Sequence, residues 1–138
     1  MNEYFKIAIK ASKKALNNNE IPVGAVIVKN NKIIAVAKNN RQRTHNILGH
    51  AEVNCILKAS KKLKDWRLDD CTMYVTLEPC EMCNIIIKNS RIKNVYYLLE
   101  KDKENLIINN NIVKAENCET LENEYNLILK NFFSKLRK

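Results

Sequence analysis

Two short stretches of the chain carry residue types that can do chemistry together. Pro79-Cys80-Glu81-Met82-Cys83 offers two thiols three residues apart, directly after a proline. Proline is favoured at the first position of a helix. The spacing therefore predicts a helix that opens here, with Cys80 and Cys83 in its first turn. Residues three apart share a helix face, and the positive end of the helix favours thiolate over thiol. Upstream, Gly49-His50-Ala51-Glu52 adds an imidazole and a carboxylate. His50, Cys80 and Cys83 make three protein ligands, the number a catalytic zinc site uses while leaving its fourth position to water. Glu52 is then the free carboxylate that can move that water's protons. His50 and Glu52 lie two apart and do not share a face inside a regular helix. They converge only at a helix start, which Gly49 just before them permits.

Other readings of the cysteines are weaker. A redox C-x-x-C would sit near the first strand–helix junction in a thioredoxin-like order, which this chain lacks. A closed structural site needs a fourth ligand. His45, Cys55, Cys71 and Cys118 are the candidates, and none belongs to a second C-x-x-C or a close Cys/His pair. Cys55 falls near the buried stripe of a helix and reads as core. Cys71 and Cys118 fall near element ends and read as ordinary thiols, and His45 as a loop histidine within reach of substrate. H-x-E followed by P-C-x-x-C is the signature of the zinc-dependent nucleobase deaminases. Both halves occur here in that order.

The elements that must position these residues are legible from periodicity. Asn2 to Leu16 reads as an amphipathic helix with Phe5, Ala8, Ile9 and Leu16 on one stripe. Val23–Val28 and Lys32–Ala37 are β-branched runs joined by Lys29-Asn30-Asn31, a hairpin signal because asparagine tolerates left-handed backbone. Asn39 to Leu48 reads as a polar, irregular loop that delivers the chain to His50. A second helix runs from about Gly49 to Leu63, with Val53, Ile56, Leu57 and Leu63 as its buried stripe. Met73–Leu77 is a strand that feeds Pro79 and a third helix, about Glu81 to Asn89. Val95–Leu99 is a fourth strand. Lys101 to Asn111 is a loop or short helix, and Ile112–Ala115 a short fifth strand. The last helix, about Glu119 to Leu136, carries Leu121, Tyr125, Ile128, Phe132 and Leu136 at helical spacing. Phe132 and Phe133 read as core or interface rather than as a binding box. Helices separate the strands after an opening hairpin, which predicts a three-layer α/β/α sandwich around a mixed five-stranded sheet. The helix starts at His50 and Cys80 are expected to meet at one edge of that sheet.

Composition bounds the rest. The 138 residues are expected to form one domain, 1–138. Five cysteines, an odd number, and no apolar export signal near Met1 fit a reducing compartment better than a disulfide scaffold. No apolar run is long enough to span a membrane, and a cytoplasmic location is expected. The net charge of +9 fits a polyanionic partner, although lysine and asparagine are abundant throughout. Only Gly24 and Gly49 are glycines. A chain so short of glycine is expected to keep it where backbone passes close to something.

The chain resembles the bacterial tRNA-specific adenosine deaminases. Pro22-Val23-Gly24-Ala25-Val26 is similar to that family's first-strand motif. Trp66-Arg67-Leu68 and Met73–Cys80 are similar to its approach to the cysteine pair, and Asn89-Ser90-Arg91-Ile92 to the stretch beyond. The resemblance implies a cytidine deaminase-like fold, one Zn2+ on His50, Cys80 and Cys83, and Glu52 as proton shuttle. It implies that Asn39 hydrogen-bonds a flipped base, that Val23 packs on it and that backbone around Ala51 lines the site. It implies a homodimer and, as substrate, the wobble adenosine of a tRNA anticodon loop. Arg41, Arg43, Lys88, Arg91, Lys130, Lys135, Arg137 and Lys138 are the candidates for its phosphates. The chain departs from the family at Asn84-Ile85-Ile86, where small residues are usual, at Asn46-Ile47-Leu48-Gly49, and in Lys101–Asn105, which lacks glycine. Those departures keep one alternative open, a deaminase of a free guanine- or cytosine-type base or nucleoside on the same fold. A third reading, a non-catalytic zinc protein that binds RNA or pairs with an active partner, is opposed by Glu52, since structural zinc needs no such acid.

Overall fold

The computed structural model describes residues 1–101 and 111–136 of the chain. Helix α1 (Asn2–Ala15) ends in a short 3-10 turn (Leu16–Asn18) closed by Asn19 in left-handed backbone, φ 57°. The hairpin follows as β1 (Gly24–Lys29) and β2 (Lys32–Lys38). Asn30 and Asn31 both take positive φ, 52° and 62°, the backbone a tight right-twisted hairpin requires. A single helical turn, α2 (Arg41–Thr44), lies where a plain loop was expected. Next come α3 (Ala51–Leu63), β3 (Cys71–Leu77), α4 (Glu81–Ser90), β4 (Asn94–Leu99), β5 (Ile112–Lys114) and α5 (Glu119–Leu136). Most of the Lys101–Asn111 stretch lies outside the described residues.

The five strands form one mixed sheet in the order β2-β1-β3-β4-β5. β1 is antiparallel to β2 and to β3, whereas β3, β4 and β5 run parallel. Side chains alternate across each strand, and here both faces are covered. Ala25, Ile27, Met73, Val75, Val95 and Tyr97 pack with Val53, Ile56, Ala59 and Ile87 of α3 and α4. On the other face, Leu98, with Tyr74 and Tyr96 beside it, packs with Phe5 and Ile9 of α1 and Leu121 and Tyr125 of α5. Val26 and Val28 meet Ala8 of α1 there. This is the three-layer sandwich that the alternation of helices and strands implies.

Two stripe residues differ from their helical spacing. Leu57 and Leu136 are mostly exposed. Ala51, Cys55 and Ala59 take the inward face of α3 instead, because small side chains allow the helix to lie close on the sheet. Gly24 serves the same end: a Cβ there would meet the Ala8 carbonyl oxygen of α1 at 1.9 Å. No helix among the described residues is long and apolar enough to cross a membrane.

Candidate functional site

The starts of α3 and α4 meet at the end of the sheet where β3 finishes. β3 is the central strand, so the site sits over the sheet's end rather than at its edge. The antiparallel hairpin brings the start of β1 and the finish of β2 to the same end, with Gly24 opposite Lys38. The backbone here is tied in three places. Gly24 N–H donates to Thr76 Oγ1 at 3.2 Å, Asn39 N–H to the Val23 carbonyl at 3.2 Å, and Tyr125 O–H to the Pro22 carbonyl at 2.7 Å. Segments distant in sequence thus form one rigid wall.

His50 is the N-cap residue of α3, in extended backbone. Glu52 lies in the first helical turn, so the two-residue spacing spans the helix boundary, as convergence requires. Cys80 is the N-cap of α4 and Cys83 lies in its first turn. Pro79 therefore precedes the cap rather than occupying the first helical position. Gly49 is the second glycine with a steric reason. A Cβ on it would come within 2.7 Å of the Arg41 backbone, so the turn before His50 closes only on glycine.

Three ligand atoms converge. Cys80 Sγ lies 3.8 Å and Cys83 Sγ 3.6 Å from His50 Nδ1. One atom from each of the three residues falls within 4.8 Å of the other two. Zinc–sulfur and zinc–nitrogen bonds of about 2.3 and 2.0 Å at a tetrahedral angle set sulfur and nitrogen roughly 3.6 Å apart. The donor set and its spacing therefore fit such an ion without rearrangement. The thiols are electrostatically unequal. Hydrogen bonding from Cys83, and then from His50, draws Cys80 down to about 3. Donating that bond, together with burial, pushes the Cys83 thiol up. The Cys80 contact in turn holds the His50 imidazole above its ordinary value. A site that already favours one thiolate is primed for a cation.

Glu52 is buried and outside the ligand group. Burial raises its carboxyl above the usual carboxylate range, and the neighbouring Cys80 adds to the shift. Its carboxyl meets Cys83. Asn39 uses its side-chain oxygen on the Ala51 N–H at 2.7 Å, which leaves its amide nitrogen as the group for a ligand. Val23 and Ala51 are buried beside it.

A cavity of about 630 Å³ opens over His50 and Asn39. Its far wall is Phe132, Phe133 and Leu136 of α5, and its rim is Arg41, Gln42 and Arg43 of α2. Phe132 is buried and Phe133 is 40% exposed, so this pair joins core to cavity rather than serving the core alone. Lys88 lies on the last turn of α4 and Arg91 is its C-cap, at the end away from Cys80. Lys130 and Lys135 are exposed on α5, and Arg137 and Lys138 lie outside the described residues. His45 stands exposed with φ 52° and does not line the cavity. Cys55 is buried between the Ala25 and Ala35 carbonyls, Cys71 opens β3, and Cys118 donates to Asn2 Oδ1 at 2.9 Å. None of the three approaches the ligand group. Glu20, which the sequence offered no motif to single out, is buried in the same cavity wall.

A metal-ready Cys2His group at two helix starts over a mixed sheet is the architecture of the deaminases, and the MafB19-like deaminase family model matches residues 1–137. The tRNA-specific adenosine deaminase of Aquifex aeolicus is 37% identical, the match covering 98% of this chain and 95% of that protein. The enzyme of that name from Bacillus subtilis is 47% identical over 68% of this chain, and the match spans 58% of that longer protein. A chain solved in a study of A-to-I editing by tRNA:A34 deaminases superposes with a TM-score of 0.74 at 26% identity, covering 82% of this chain and 97% of that one. A guanine deaminase from Bacillus subtilis superposes at 0.67 with 31% identity, covering 90% and 92%. This chain belongs to the tRNA-specific adenosine deaminase family.

Proposed function

We propose that residues 1–138 form one zinc-dependent deaminase domain that converts adenosine to inosine at the wobble position of tRNA anticodons. The observation that carries this reading is the imidazole and two sulfurs at tetrahedral-ligand spacing beside a buried carboxyl that is not a ligand. His50, Cys80 and Cys83 would hold the zinc. When bound, zinc acts as a Lewis acid and brings a water's pKa close to neutral.

Glu52 would take one proton from the attacking water and pass it to the ring nitrogen of the base; once the water oxygen has bonded to the carbon bearing the amine, Glu52 would carry the second water proton to that amine, which leaves as ammonia as the C–N bond breaks. An acid–base group works best when its pKa lies near the operating pH, and the burial that raises Glu52 moves it that way. The Asn39 amide nitrogen donates to the base, and Val23 and Ala51 wall it. An anticodon loop is single-stranded, so turning one base out of its stack costs little. Arg41 and Arg43 at the rim suit the loop's phosphates.

The exposed apolar side chains Leu57 on α3, Ile85 on α4 and Ile47 and Leu48 before α3 support a homodimer across the site helices. A cytoplasmic location is part of the same proposal.

The second reading is a free nucleobase such as guanine. The 31% identity to the guanine deaminase and the unusual Asn84-Ile85-Ile86 segment favour it. Incubation with an anticodon stem-loop bearing a wobble adenosine should yield inosine, with one zinc per chain. Turnover of free guanine or cytosine without inosine in the stem-loop would reject the first reading. Ionic strength separates the two as well, since RNA affinity falls steeply with salt.

A further inference from the structure

The rim of the cavity is held by a residue that no catalytic motif contains. Glu20 is only 2% exposed. Its Oε1 accepts from the Gln42 N–H at 2.9 Å and its Oε2 from the Arg43 N–H at 2.7 Å. A buried carboxylate is costly unless its oxygens are paired. Both are paired here, with amides that a helical turn leaves open at its start. A local side chain would ordinarily do this. Asn40, the N-cap residue of α2, makes no side-chain cap bond. Its side-chain oxygen instead accepts from Asn54 Nδ2 at 2.9 Å. The cap comes from the α1–β1 connection, 22 residues upstream of Gln42.

That arrangement couples the rim to the floor of the site. The Asn40 N–H donates to the Gly49 carbonyl at 2.9 Å, and the Asn46 N–H to the Arg41 carbonyl at 3.1 Å. The Arg41 backbone lies directly on Gly49, one residue before His50. Glu20, Arg41, Arg43 and His50 line one cavity. Among the described residues Glu20 has no ion pair, so its carboxylate is spent on backbone geometry.

We propose that Glu20 is a positioning residue for substrate specificity. It clamps the 41–43 backbone so that Arg41 and Arg43 stand at the mouth, set for a polyanionic substrate. The proposal rests on the RNA reading above for that substrate, whereas the clamp itself does not.

The test is Glu20→Gln, which keeps the shape but turns an NH2 towards one amide. Amide hydrogen exchange at Gln42 and Arg43 should speed up by about tenfold or more. The KM for the stem-loop should rise about tenfold, with kcat changed less than about threefold and zinc content intact. Arg41→Ala should cost less in the Glu20→Gln background than in the parent, since the guanidinium is already misplaced. Glu20→Asp, which keeps two oxygens on a shorter arm, should recover part of the KM. Unchanged exchange, equal loss of kcat and zinc, or an Arg41→Ala cost identical in both backgrounds would overturn the proposal. If the parent enzyme leaves the stem-loop untouched and deaminates a free base, the RNA reading fails. Exchange at the two amides then decides the clamp alone: faster exchange supports it and unchanged exchange ends it.

Discussion

The floor of the site and the mouth of the cavity beside it are built on different principles. At the floor, His50, which lines the cavity, joins Cys80, Cys83 and Glu52 on two helix starts whose bodies are packed into the main core. Each ligand's place follows from a cap position and a one-turn spacing, and neighbouring core residues Ala51, Cys83 and Ile87 are fully buried. At the mouth, Arg41 and Arg43 sit on one isolated turn, with Phe133 and Leu136 opposite on the exposed end of α5. No local side chain caps the start of that turn. It depends on Glu20, Gly49 and Asn54 from three other segments. Chemistry is thus placed by secondary structure and specificity by tertiary hydrogen bonds. A change at the floor should abolish the reaction, and a change at the mouth should alter what is bound.

The sharpest break of that contrast is at the floor. Cys83→Ala should leave zinc at background by elemental analysis and turnover undetectable, while Arg43→Ala should keep both. Loss of zinc in the arginine variant would erase the distinction. Next in size, Glu52→Gln should keep its zinc and lower kcat by about 10²–10⁴-fold, the usual worth of a general acid–base group. A kcat within a factor of a few of the parent's would remove Glu52 from the reaction. Smaller again, Arg41→Ala and Arg43→Ala should each raise the stem-loop KM by several-fold, on the order of one phosphate contact, and flatten the slope of affinity against salt by about one. An unaltered slope would move the phosphate site elsewhere, Lys130 and Lys135 being the next candidates.

The smallest effect is in stability. Burial raises the Glu52 carboxyl, so the folded chain holds its proton more tightly than the unfolded chain does. The stability this contributes is present below the ordinary carboxyl value of 4.5 and is lost as pH climbs through the raised folded value. In metal-free protein the melting temperature of Glu52→Gln should therefore gain on the parent's as pH rises above 4.5. The advantage should grow with pH until the folded carboxyl has lost its proton. A difference that stays flat with pH would mean that the buried carboxyl is not the strained group.

Sequence periodicity located every strand among the described residues, because branched runs bounded by asparagine or charge leave few other solutions. It also located the His50, Cys80 and Cys83 group that could hold a metal, because thiols and an imidazole at helix starts form a chemical pattern independent of what surrounds them. The single-turn helix at Arg41–Thr44 was not legible. Arg41-Gln42-Arg43-Thr44 has neither apolar period nor local cap, and the acid that holds it lies in a different part of the chain. Leu57 and Leu136 misled for a related reason. Helical spacing defines a stripe, but where the stripe's edge meets solvent depends on which neighbour lies beside it. Phe133 reads from sequence as core or interface, and only the position of α5 brings it into the cavity lining.

By itself, the sequence determined the donor set, the helix starts that carry it and the layered fold, since each follows from local backbone preference and residue chemistry. Only the tertiary structure decided that the two motifs meet over the central strand, and that Glu20 reaches the rim. Those are contacts between segments far apart along the chain. Their energies come from burial and paired hydrogen bonds, and no local spacing encodes them.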